Sequence, residues 1–92
     1  MKIYVQIAGL IEGDSVHGEK EVELKKGSTI RDVLKIGDKQ FKFKKKYFKL
    51  FLKQGRLPTI LINGDRVDLP EGYSMPLNDG EKLSVLLPMS GG

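Results

Sequence analysis

LSVLLPMSGG, residues 83–92, decides the fold. Leu83, Val85 and Leu87 alternate with Ser84 and Leu86, the period-two pattern of a strand with one face on a core. Pro88 lacks an N–H and ends that pairing. Met89, Ser90, Gly91 and Gly92 follow, and a strand, a proline and a short run ending in two glycines is not the composition of a polar fringe. The sequence predicts one domain over residues 1–88 and a flexible tail over residues 89–92.

Working backwards, Asn78-Asp79-Gly80 is a turn that delivers the chain into this last strand, and Asn63-Gly64 is a second. Asn-Gly tolerates positive φ at both central positions, so Thr59–Ile62 and a short strand around Val67 should form a tight hairpin. At the other end of the chain, KIYVQIAGL places Ile3, Val5 and Ile7 on one face and Tyr4, Gln6 and Ala8 on the other. Alternation resumes in GEKEVELKKG with Val22 and Leu24 inward, and the turn-rich IEGDSVHG, residues 11–18, reads as a longish loop between two antiparallel strands.

STIRDVLKIG reads as a helix. Ser28 or Thr29 can cap it, Asp32 suits its first turn, and Ile30, Val33 and Leu34 share a face. Gly37 is placed to end it in a left-handed turn. An irregular or extended piece should follow near Phe41 to Phe43, then a helix from about Lys45 to Lys53 closed by Gly55. Tyr47, Phe48, Phe51 and Leu52 share one face of that second helix. The elements imply an α+β fold: a mixed sheet of four or five strands with helices on one face. If the first and last strands pair in mid-sheet, it is a ubiquitin-like β-grasp.

Composition narrows the chemistry. With 92 residues and 39% hydrophobic content, there is material for one modest core. No apolar run approaches the length of a membrane span, and the start lacks a signal peptide's cleavage site, so a cytoplasmic protein is expected. There is no cysteine, hence no thiol nucleophile and no disulfide. The single histidine, His17, cannot make a metal site alone and is expected to be an exposed loop residue. Residues 39–56 carry seven lysines and Arg56 with no acid, a local +8 against a net +4, so the rest of the chain carries −4. Lysines interleaved with Phe41 and Phe43 could stack and neutralise a single nucleic-acid strand. An amphipathic helix with its aromatics packed and its lysines solvated is the favoured account. A third use of the stretch is attraction of an acidic partner or, on the family resemblance described next, of an anionic pterin phosphate.

LINGDRVDLPEG and PLNDGEKLSVLLPMSGG resemble the ubiquitin-like sulfur carriers of the MoaD/ThiS type, most of all the small subunit of molybdopterin synthase. The shared features are an NG turn, a PL-x-DG turn, a last strand ending in proline, and a terminal Ser-Gly-Gly. The resemblance implies that the Gly92 carboxylate is activated with ATP by an E1-like adenylating enzyme and converted to a thiocarboxylate with sulfur from a donor enzyme. It implies a large-subunit partner and a cyclic pterin acceptor, with no cofactor bound by this chain. Gly91 and Gly92 would enter the partner's active site, and the extended chain from Pro88 to Gly92 reaches about 17 Å. Leu86, Pro88, Met89 and Ser90 are the candidate partner-binding residues. Other readings are a carrier for thiamin or another thiolated product, a ubiquitin-like modifier conjugated to lysines, and a basic RNA-binding module.

Overall fold

A computed structural model describes residues 1–11, 13–43, 45–53 and 57–87, without the side chains of residues 11 and 51. Strand β1 (Lys2–Ile11) turns back into β2 (Asp14–Glu23). Helices α1 (Ile30–Phe41) and α2 (Tyr47–Lys53) follow. After them come β3 (Thr59–Ile62), β4 (Asp65–Val67), a single 3-10 turn (Glu71–Ser74) and β5 (Lys82–Leu86).

The five strands lie in the order β2-β1-β5-β3-β4. First and last strands are parallel neighbours in the middle of the sheet, with Tyr4 opposite Lys82 and Ala8 opposite Leu86. The remaining pairings are antiparallel. Parallel strands cannot be joined by a tight turn, and everything between β1 and β5 serves as their connection. This is the β-grasp arrangement expected from the alternation at the two ends of the chain. Asn63 and Gly64 take φ of 50° and 88°, as the tight hairpin requires. Asn63 also accepts from the Lys82 backbone N–H through Oδ1 at 2.9 Å, so the turn anchors the start of β5.

One face of the sheet supplies the core. Ile3, Val5, Ile7, Ile60, Leu83 and Val85 are all fully buried against Ile30, Val33, Leu34 and Phe48. Helix α1 starts where Thr29 Oγ1 accepts from the Asp32 N–H and the Asp32 carboxylate accepts from the Thr29 N–H at 2.8 Å, a reciprocal cap. That hydrogen bond holds the Asp32 carboxyl below its ordinary pKa. The same end is pinned to the chain before β5: Ile30 N–H donates to Met75 and Leu77 N–H to Ser28.

Five expectations change. The loop at residues 11–18 is mostly strand: β1 reaches Ile11, β2 begins at Asp14, and Val16 is buried opposite Gly9. His17 is accordingly an exposed strand residue opposite Ala8, not a loop residue. Its Gly, Asp and Ser neighbours hide the period-two pattern because their side chains carry no hydrophobic signal.

Gly37 does not end α1. The helix runs on to Phe41 and is capped by Lys42 at φ 53°, whose N–H donates to the Asp38 carbonyl. Gly37 is there for space: a Cβ on it would stand 2.5 Å from Phe48 ring carbons. Phe41 therefore belongs to the last helical turn and not to an extended piece, while Gly55 lies outside the described residues.

Leu52 is 37% exposed instead of packed. Helix α2 is held by other means. The Asp38 carboxylate accepts from the N–H groups of Phe48 and Lys49 at 2.8 and 2.9 Å, capping α2 from the neighbouring helix. Asp14 accepts from Lys45 Nζ at 2.9 Å and from the Tyr47 hydroxyl, tying α2 to the start of β2.

Candidate functional site at the end of the central strand

The site is built where β5 leaves the sheet. Leu83, Val85 and Leu87 face the core, as alternation predicts, and this puts Leu86 on the opposite, helix-free face at 37% exposure. The registers place Ala8 on one side of Leu86 and Thr59 on the other. Leu10, farther along the same face of β1, is exposed, and so is Leu57, two residues before Thr59. Leu86, Leu10 and Leu57 thus give a band of exposed aliphatic side chains at the end toward which the last strand runs, on a face that no helix covers among the described residues.

The exit is fixed by backbone, not by side chains. Leu87 N–H donates to the Ala8 carbonyl at 2.8 Å, carrying the parallel ladder one residue past β5. Gly9 follows with φ 139°, a conformation that favours glycine. A Cβ there would lie 2.6 Å from Leu87 Cβ and 2.7 Å from the Leu87 carbonyl oxygen. The bare backbone of Gly9 is what lets β1 and the end of β5 approach. The sequence does carry a signal for this, since a lone glycine inside a strand marks close approach of another backbone.

Of the expected site residues, Leu86 lies in this band. Pro88, Met89, Ser90, Gly91 and Gly92 lie outside the described residues. Among the described residues, no cluster of three or more potential metal-ligating side chains occurs, and no helix is long and apolar enough to cross a membrane.

The lysine-rich stretch lies on the helical side. Phe41 and Phe43 stack on one another with centroids 5.4 Å apart, and both stack on Phe48. Gly18 of β2 makes room beneath them, because a Cβ there would be 2.9 Å from the Phe41 ring. Both rings are half-buried in this stack and are not an open platform for bases. Among the described residues, Tyr47 and Phe48 of α2 pack as the favoured account expects while the lysines of the stretch are exposed; Leu52 departs from it, and the Phe51 side chain lies outside the described residues.

A mixed five-stranded sheet with first and last strands paired at its centre and helices on one face defines the ubiquitin-like β-grasp class. The chain belongs to the ThiS family, whose model matches residues 7–92. Among solved structures, it is similar to a chain in the complex of subunits 1 and 2 of molybdopterin-converting factor from Helicobacter pylori. That match has 22% identity, complete coverage of both chains and a TM-score of 0.59. It is similar to the HVO 2177 protein of Haloferax volcanii at 19% identity and a TM-score of 0.58, covering 99% of this chain and 88% of that one. A Pyrococcus furiosus protein named for subunit 1 of a molybdopterin converting factor matches at 20% identity and a TM-score of 0.56, with 95% and 99% covered. These likenesses show the shared fold. No curated protein sequence matches the chain.

Proposed function

We propose that this protein is a sulfur carrier. Its Gly92 carboxylate is adenylated and converted to a thiocarboxylate, and it donates that sulfur in molybdopterin biosynthesis as the small subunit of molybdopterin synthase. The observation that carries this is the extent of the family match, which runs through Ser90-Gly91-Gly92 to residue 92. The molybdopterin assignment, over thiamin, is supported by the two similar structures named for molybdopterin-converting factor.

A carboxylate is a poor electrophile. Attack of its oxygen on the α-phosphate of ATP releases pyrophosphate and leaves an acyl-adenylate. A sulfide-level nucleophile then forms the C–S bond as AMP departs with the electron pair of the broken C–O bond, so one hard substitution becomes two easier ones. With no cysteine in the sequence, the transferable sulfur resides on the terminus. An E1-like enzyme supplies the ATP chemistry, a donor enzyme the sulfur, and the large subunit the groups acting on the pterin.

This chain's own part is presentation. The ladder through Leu87 aims the tail, Gly91 and Gly92 leave room for a narrow channel, and Leu86 with Leu57 and Leu10 gives the partner an apolar grip. Pro88, Met89 and Ser90 make the contacts between grip and channel. Ordering each tail residue costs about 1–2 kcal/mol, which this docking surface offsets.

The test is incubation with ATP, an E1-like activating enzyme and a sulfide donor, followed by a thiol-reactive probe. Label confined to the C-terminal peptide is the expected result. Adenylation without label would favour a protein modifier, and neither, with an enzyme active on a known carrier, would remove the proposal.

A further inference from the structure

An open groove of about 450 Å³ runs between α1 and α2, lined by Leu34, Lys35, Lys49, Leu52 and Lys53. Its floor is apolar, with Leu34 fully buried and Leu52 partly exposed. Its rim is three ammonium groups, and Lys39, one turn beyond Lys35, continues the same edge. Among the described residues, none of these four lysines has an ion-pair partner. We infer that this groove docks an acidic segment of a partner protein, in which carboxylates flank one aliphatic side chain. The inference does not depend on the chemistry of the tail.

Charge complementarity and the shape of the slot choose this occupant. Like charges held around one groove repel, and carboxylates from a partner reverse that sign. The apolar floor then receives the aliphatic side chain, which gives the contact a register that charge alone lacks. A nucleic-acid backbone has no group to place on Leu52, and the aromatic rings that could stack bases are stacked on one another and on Phe48 instead. A lipid surface needs a broad apolar face, and here the apolar contact is confined between two rows of lysine.

The probe is a fluorescent twelve-residue peptide of Glu and Asp with one central Leu, titrated into the full chain and followed by NMR. Saturable binding with shifts confined to Leu34, Lys35, Lys49, Leu52 and Lys53 is expected. Lys49→Glu should weaken it at least tenfold, and so should Leu52→Ser or replacement of the peptide's Leu by Ser. These positions are exposed, and unchanged Tm in each variant separates lost binding from lost fold. The inference is overturned if the peptide does not bind, if Leu→Ser in the peptide has no effect, or if the tightest binder is duplex RNA or a phosphatidylglycerol-containing vesicle.

Discussion

The ring of Phe48 occupies the space above Gly37: a methyl group on that glycine would lie 2.5 Å from Cγ and Cδ1 of the ring. Gly37→Ala sets about 1 kcal/mol of improved helix propensity against overpacking that typically costs 1–3 kcal/mol. Because Phe48 is 1% exposed and also stacked on Phe41 and Phe43, it has little room to yield. Net destabilisation is expected, read as a lower urea midpoint at unchanged slope. In a Phe48→Leu background the same substitution should be neutral or stabilising; equal losses in both backgrounds would refute the steric account.

Asp38 caps a helix to which it does not belong. Asp38→Ala should cost about 1 kcal/mol, the usual worth of an N-cap side chain, and Asp38→Asn less. Amide exchange reports it locally: Phe48 and Lys49 should exchange faster, while the fully buried strands keep protection.

The Thr29 N–H depresses the pKa of Asp32 below its ordinary 3.8. A group whose folded pKa is lowered contributes stability that is present above the unfolded value and lost as pH falls through the folded one. Wild type should therefore lose this contribution below about pH 4, and Asp32→Asn should lose less stability over that interval. Thermal midpoints at pH 7 and pH 3 for both proteins give the comparison. Parallel curves would show that the cap does not discriminate the ionised carboxylate.

At the strand exit, Gly9→Ala introduces a Cβ against the Leu87 backbone at a φ that side chains rarely adopt. It should break the Leu87–Ala8 hydrogen bond, seen as loss of exchange protection at the Leu87 amide. If the tail carries sulfur as proposed, thiol labelling should fall with it. Gly92→Ala should also abolish most labelling, but with Tm and the protection of the Leu87 amide unchanged.

The strands were legible where hydrophobic alternation was uninterrupted, as in Ile3-Val5-Ile7 and Leu83-Val85-Leu87, and the Asn63-Gly64 turn was legible because few residues tolerate its dihedrals. Helix α1 could be placed from Thr29 and Asp32, but its end could not. A glycine that ends a helix and one that admits a ring look alike until the ring is located in space. Residues 14–18 escaped for a similar reason, since Gly18 faces inward with nothing of its own to bury. Leu86 was found by alternation alone. Gly9 was not, because its role lies in an approach between strands more than seventy residues apart in sequence.

The pairing of β1 with β5 also governs when the protein can exist as a folded object. During synthesis, the β1–β2 hairpin leaves the ribosome first, and the β3–β4 pair later. Neither belongs to a common sheet until β5 slides between them, since β5 alone joins β1 to β3. A nascent chain stalled before Lys82 holds two unjoined fragments and an open hydrophobic seam, a species prone to misassociate and be cleared. Completion of the fold thus waits on the last strand, so quality control of the domain inspects the segment that leads into residues 88–92.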